Sequence, residues 1–246
     1  MHRHPEPERI LRLTRLEPFL NERIFGQEEA VATLAEAVLN AELGLPRPGK
    51  PKAAFLFLGP TGVGKTQLTK LLAQFLYGEE QAGQRLVRLN MAGYADERTA
   101  LGRLIGENHG EQGDLGDALD GLIRLGGGIL LVDEIEKAAP KVAKLWLAGI
   151  DEAEIDCANG SRKNLEGCYI VMTSNLGAQE AMDMQDSGQT AMKNVLREKA
   201  TKFFGPEMIG RFRRYNGVVV FNPLSASVQE QVCWSILERE VERFAA

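Results

Sequence analysis

The amino-acid sequence encodes an α/β protein whose mainly parallel sheet is flanked by helices on both faces. Two observations lead there. Five short apolar runs, at residues 53–58, 86–89, 129–132, 169–172 and 218–221, are separated by helical stretches, the alternation expected when parallel strands are joined by helical crossovers. The first run passes directly into a glycine-rich turn and then a helical stretch over residues 67–75, the order strand, loop, helix. At about 150 residues per domain, the 246 residues make one large domain plus an appendage. The 44% hydrophobic and 26% charged content excludes disordered, collagen-like and membrane classes.

Taken in order, the chain opens with Met1-His2-Arg3-His4-Pro5, which lacks the apolar centre of a secretory signal. His2 and His4 have no third ligand nearby and read as a solvated arm rather than a metal site. Residues 8–17 and 28–43 carry apolar residues at helical spacing around a turn that includes Asn21-Glu22-Arg23-Ile24-Phe25-Gly26-Gln27. Residues 45–51 contain three prolines and a glycine, which stop the helix and deliver the chain into the first buried strand. The polar segment 182–189 reads as a loop, or as a helix end capped by its two methionines. No internal repeat is present.

A net charge of −5 provides no global basic field for phosphate backbones, so nucleic acid is not an expected partner. Cys157, Cys168 and Cys233 are odd in number and form no C-x-x-C pair, which excludes a disulfide framework and a zinc signature. No apolar run reaches the roughly 18 residues of a spanning helix, so no membrane partner is expected and the cytoplasm is the expected compartment.

The chemistry is concentrated in three segments. Gly59-Pro60-Thr61-Gly62-Val63-Gly64-Lys65-Thr66 satisfies G-x-x-x-x-G-K-[ST] between a strand and a helix, the context that a phosphate-binding loop requires. Glycines let main-chain N–H groups turn towards phosphate oxygens, and the helix N-terminus adds unsatisfied donors. Lys65 is expected at the β- and γ-phosphates of ATP, and Thr66 at Mg²⁺. Ile129-Leu130-Leu131-Val132-Asp133-Glu134 is a buried strand ending in two carboxylates, Asp133 for the Mg²⁺ shell and Glu134 to polarise the attacking water. A third strand ends at Ser174-Asn175, where the Asn175 amide can donate and accept at once beside the γ-phosphate.

Ile24-Phe25-Gly26-Gln27, the phosphate loop with its preceding Phe55-Leu56-Phe57-Leu58, Leu131-Val132-Asp133-Glu134-Ile135-Glu136-Lys137 and Met172-Thr173-Ser174-Asn175-Leu176-Gly177 together resemble the second ATPase module of Clp-family AAA+ unfoldases and disaggregases, over roughly residues 15–235. The resemblance implies a P-loop NTPase of AAA+ type with a five-stranded nucleotide-binding core at residues 1–222. It implies the first helix of a small lid domain at 223–246, and a homo-oligomeric ring, usually of six subunits, acting on a protein substrate or partner. It places Ile24 and Phe25 beside the adenine. It also implies an arginine acting in trans on the neighbour's γ-phosphate. Pro206-Glu207-Met208-Ile209-Gly210-Arg211 matches the segment leading to that arginine, whereas counting back from residues 218–224 selects Arg214; Arg211 is preferred because its preceding segment matches without a gap.

Two departures from the family pattern shape the functional expectation. After Leu104-Ile105-Gly106 the family's threading members carry a Gly-aromatic-Val-Gly loop that grips substrate, whereas this chain has Glu107-Asn108-His109-Gly110-Glu111-Gln112-Gly113-Asp114. Without an aromatic, the loop offers little apolar area to an extended peptide, and His109 is expected to be solvated. This motivates an alternative, a nucleotide-switched scaffold that threads nothing. Beyond residues 225–244, which carry the first lid helix, the family's remaining lid and its second sensor arginine are absent from the 246 residues. The sequence leaves open an excised fragment or a protein without a closed lid, and weak nucleotide affinity and poor ring assembly are expected of the chain alone.

Overall fold

The computed structural model describes residues 7–44, 48–183 and 188–245. The expectations for His2, His4 and the amino-terminal arm, for residues 45–47 of the breaker and for 184–187 of the polar segment lie outside them.

The helix expected over residues 8–17 is two short helices, α1 (Pro7–Leu13) and α2 (Leu16–Asn21). Pro18 explains the break: a continuous helix would press its ring against the carbonyl of Thr14, whereas within the first turn of α2 its missing N–H costs nothing. Gln27 precedes α3 (Glu28–Leu43) and is fully buried. Its side-chain amide donates to the Asn222 carbonyl at 2.8 Å and accepts from the Asn222 N–H at 2.9 Å. This pairing fastens the turn carrying Ile24 and Phe25 to the far end of the chain.

The sheet and its crossovers follow as β1 (Ala53–Leu58), α4 (Lys65–Tyr77), α5 (Glu79–Ala82), β2 (Leu86–Asn90), α6 (Ala100–Ile105) and α7 (Gly113–Arg124). Next come β3 (Ile129–Asp133), α8 (Pro140–Glu152), β4 (Glu154–Asp156), β5 (Arg162–Asn164) and β6 (Tyr169–Ser174). The chain then forms α9 (Ala178–Asp183), α10 (Gln189–Arg213), β7 (Val218–Val220) and α11 (Ala226–Ala245). Two 3₁₀ turns, Met91–Tyr94 and Ile135–Lys137, follow β2 and β3. Five strands pair in the order β2-β3-β6-β1-β7, all parallel.

Because side chains alternate along a strand, β1 sends Leu56 and Leu58 to one face and Phe55 and Phe57 to the other. The first face packs with Leu119, Trp146 and Phe212, the second with Leu34, Leu68 and Leu72. Phe55 and Phe57 are 0% exposed, and burying each contributes roughly 2 to 3 kcal/mol. Met182 belongs to the end of α9 rather than to a loop, and α10 begins at Gln189. α10 is kinked at Gly205, whose φ of 81° interrupts the helix before Pro206. The fifth run ladders only to Val220, and the carboxy-terminal helix starts one residue later than expected, at Ala226.

Candidate phosphate-binding site

Strand order builds the site. β6 lies between β3 and β1, with Leu58 opposite Ser174 and Val132 opposite Met172. Gly59 and Asn175, which follow β1 and β6, and Asp133 and Glu134, the last residue of β3 and the one after it, therefore emerge side by side at one edge, the carboxyl ends where open α/β sheets bind ligands.

The loop after β1 runs against buried backbone: a Cβ on Gly59 would lie 2.8 Å from the Phe221 carbonyl oxygen, so only glycine fits. Gly64, at φ 103°, turns the chain into α4. A Cβ on Gly62 would meet nothing within 4 Å, so the loop's rim faces open space. Lys65 is 8% exposed. Its ammonium donates to the carbonyls of Gly59 and Pro60, both at 2.6 Å, and to Asn175 Oδ1 at 2.9 Å. Burial lowers the Lys65 pKa to about 8, against the opposing pull of Glu136, Asp133 and Glu134 in that order. The Thr61 hydroxyl also reaches Asn175 Oδ1, at 3.4 Å. Pro60 is buried, Val63 is 5% exposed, and Thr66 is part-exposed on the first turn of α4.

Across the gap, Asp133 is 6% exposed and both its oxygens are engaged. Arg88 Nε donates to Oδ2 at 2.9 Å, and the Thr173 hydroxyl donates to Oδ1. Glu134 sits at φ 57°, ψ 50°, a left-handed conformation for a side-chain-bearing residue, the kind of local strain that collects at functional sites. Its N–H donates to Thr173 Oγ1 at 3.1 Å and its carboxylate accepts from Lys137 Nζ at 2.9 Å. Glu136 accepts the Asn175 N–H at 3.0 Å.

A cavity of 280 Å³ opens beside the loop, bordered by Ile24, Phe25, Val63, Leu224, Val232 and Ile236. Its apolar walls suit a flat heterocycle next to a phosphate cradle. A larger cleft, 1040 Å³, bordered by Lys50, Glu166 and Arg213, touches none of these residues. Among the described residues no cluster of three or more His, Cys, Asp or Glu could hold a metal. Asp133 and Glu134 bring carboxylate oxygens to this edge, and a small set of oxygen donors fits Mg²⁺, which keeps waters and phosphate oxygens in its shell.

The two arginines lie elsewhere. Arg211 donates from Nε to Asp151 Oδ2 at 2.6 Å and from Nη2 to Glu207 Oε1 at 2.9 Å, leaving its side chain 13% exposed. Arg214 shares Asp151, at 3.0 Å, and is 58% exposed. His109 is exposed. Its loop is stitched to the β4–β5 hairpin: the Ala158 N–H donates to the Ile105 carbonyl at 2.9 Å and the Asn159 N–H to the Glu111 carbonyl at 3.1 Å. Lys163, 6% exposed, donates to Gln112 Oε1 and Asp120 Oδ1, each at 2.7 Å.

The sequence alone assigns no role to Arg88, and Gln27, Glu136 and Thr173 enter there only as members of motifs. The signal for Arg88 was a charge inside an apolar run, and for Glu136 a third carboxylate three residues after Asp133.

A parallel sheet in this order, with a phosphate loop after β1 and paired acids after β3, defines an ATPase module of the AAA type, and a profile of the AAA domain (Cdc48 subfamily) matches residues 50–215. The chaperone protein ClpB 1 of Thermosynechococcus vestitus is 36% identical over 238 residues, 95% of this chain and 26% of that protein. The ATP-dependent Clp protease ATP-binding subunit ClpC of Staphylococcus saprophyticus is 33% identical over 95% of this chain and 29% of its own length. A closed-state Hsp104 structure with ATPγS and FITC casein superposes with a TM-score of 0.83 at 31% identity, over 97% of this chain and 40% of that one. The chain belongs to the Clp-family AAA+ ATPases. It spans about a quarter of the length of the curated relatives it matches.

Proposed function

We propose that the chain binds and hydrolyses ATP with Mg²⁺ at subunit junctions of a homo-oligomeric ring, hexameric when complete, and remodels protein partners in the cytoplasm. The observation that carries this reading is the convergence of Lys65, Asn175 and the Asp133-Glu134 pair on one sheet edge. Gly59 to Gly64 cradle the phosphates with main-chain N–H groups, Lys65 meets the β- and γ-phosphates, and Ile24 and Phe25 flank the adenine. Thr66 and Asp133 hold the metal, which supplies charge neutralisation at the phosphate oxygens when bound. Glu134 takes the proton of the attacking water, Asn175 reports on the γ-phosphate, and Arg211 acts on the neighbouring subunit's nucleotide. Three free thiols support a reducing compartment. Among the described residues no helix is long and apolar enough to cross a membrane, and a net charge of −5 argues against a nucleic-acid partner. The test is Glu134→Gln: ATP binding by calorimetry should persist while turnover falls at least a hundredfold, and turnover at the original rate defeats the assignment of the base.

The loop at residues 107–113 favours a second reading, a nucleotide-switched scaffold that threads no polypeptide. It lacks an aromatic and is pinned to the hairpin at both ends. A fluorescent unstructured protein of the casein kind, followed for ATP-dependent translocation by the assembled protein, separates the two. Threading supports the first reading, and ATP-dependent assembly without threading supports the second.

A further inference from the structure

Glu136 stands behind the site in an arrangement that packing alone does not explain. It lies in the 3₁₀ turn Ile135–Lys137 that follows the acid pair. One carboxylate oxygen accepts the Asn175 main-chain N–H at 3.0 Å. The other, Oε2, is buried and has no hydrogen-bond partner among the described residues. A carboxylate oxygen left unpaired away from water is costly, and a buried exception of this kind calls for a reason. The side chain of the residue it holds carries the reason: Asn175 Oδ1 meets the Lys65 ammonium at 2.9 Å and the Thr61 hydroxyl at 3.4 Å, at the mouth of the phosphate loop.

The three contacts form a chain in which Glu136 fixes the Asn175 backbone and the Asn175 amide is thereby aimed at the point where Lys65 ends. We infer that Glu136 is a positioning residue that sets the preference of the site for a nucleoside triphosphate over a diphosphate, by clamping Asn175 so that its amide and the Lys65 ammonium converge on the terminal phosphate. This rests on the nucleotide-binding reading above. A diphosphate does not extend to the Asn175 amide, so loosening the clamp weakens triphosphate binding selectively. A general disturbance of the fold weakens both ligands alike.

The experiment compares Glu136→Ala with Glu136→Gln. Both remove the charge, but only glutamine keeps an acceptor oxygen for the Asn175 N–H. Dissociation constants for ATP and ADP, each with Mg²⁺, are measured by calorimetry at pH 7 in a Glu134→Gln background that stops turnover. A hydrogen bond to a neutral acceptor lost at a positioned amide corresponds to a change of about three- to tenfold. The ADP-to-ATP ratio of dissociation constants should therefore fall about three- to tenfold in Glu136→Ala relative to Glu136→Gln, with ADP affinity nearly unchanged. In an Asn175→Ala background, where the main-chain N–H remains but the amide is gone, the two Glu136 variants should give the same ratio. Equal ratios in the Asn175-containing chain, or a difference that persists without the Asn175 amide, overturn the inference while leaving the nucleotide site intact. Failure of the Glu134→Gln chain to bind either nucleotide removes the functional reading itself and this inference with it.

Discussion

Arg88 on the edge strand β2 donates to Asp133 Oδ2 at 2.9 Å, and the neighbouring Asp133 Oδ1 is taken by the Thr173 hydroxyl. The carboxylate proposed to meet the metal is thus already paired with a guanidinium of its own chain. A cation approaching Oδ2 would compete with that guanidinium, whose side chain is 52% exposed.

Arg88→Ala is therefore expected to lower the Mg²⁺ concentration needed for half-saturation of the nucleotide complex by about three- to tenfold. The nearly buried Asp133 loses a charged partner, at a cost of about 1 to 3 kcal/mol in stability. Magnesium titration with a fluorescent nucleotide, beside a thermal melt, reads both. A lower melting temperature with an unmoved magnesium midpoint makes Arg88 a structural partner only.

Lys65 sets a pH limit on binding. Its folded pKa is about 8, below the ordinary 10.5, because burial disfavours the ammonium. Between those values the unfolded chain holds the proton and the folded chain does not, so stability rises with pH in this window as Lys65 loses its charge. Phosphate binding, which needs the charge, runs the other way: ATP affinity should hold up to about pH 8 and then fall by up to tenfold per pH unit. Lys65→Arg, which cannot deprotonate, should bind less tightly at pH 7 but with a flat profile. Calorimetry from pH 7 to 9.5 on both chains checks this, and a flat profile for the original chain contradicts it.

Acid stability depends on Glu42. Burial raises its pKa, but hydrogen bonds from Lys52 at 2.7 Å and Tyr169 at 2.5 Å, with Arg9 adding a third, outweigh burial and lower it to about 2 from the ordinary 4.5. A depressed carboxyl pKa contributes stability that is complete above pH 4.5 and lost as the pH falls through about 2. Glu42→Gln should cost about 2 kcal/mol at pH 7 and should unfold with a shallower pH dependence between those limits. Urea melts at pH 7, 4 and 3 measure it, and parallel pH profiles for the two proteins count against the network.

Arg211 and Arg214 share Asp151, and only Arg211 is largely buried. If Arg211 is the group presented across the ring, Arg211→Ala should reduce turnover of the assembled protein at least a hundredfold without weakening ATP binding by the isolated chain. Arg214→Ala should change turnover less than threefold. Mixing Arg211→Ala subunits with Glu134→Gln subunits, each inactive alone, should restore part of the turnover, because a junction that pairs the first with the second joins an intact Glu134 to an intact Arg211. A reversal of the two arginine phenotypes moves the role to Arg214.

Much of the sheet and its edge was legible because it rests on local signals. Residues 53–58 and 169–172 are unbroken apolar runs, the first passing straight into Gly59 of the loop and the second into Thr173-Ser174-Asn175. The β4–β5 hairpin was not read, since each strand is three residues long, too short for a period to emerge. Asn159-Gly160, a strong tight-turn signal, sits at its tip, where Gly160 has φ 78° and its N–H donates to the Cys157 carbonyl at 3.0 Å. Glu136 and Arg88 were missed for a different reason. Their roles depend on which strand lies beside which, and the order β2-β3-β6-β1-β7 is a property of the assembled sheet rather than of any one segment.

The helix α8 leaves the turn that carries Glu134 and ends at the carboxylate that Arg211 and Arg214 grip. Its thirteen residues make a rod of roughly 20 Å at 1.5 Å per residue. A tilt of this rod displaces Asp151, and with it the two arginines it holds, relative to the turn at Glu134. In a ring of the kind proposed above, one rigid helix would then tie the acid edge of a subunit to the surface it presents to the next.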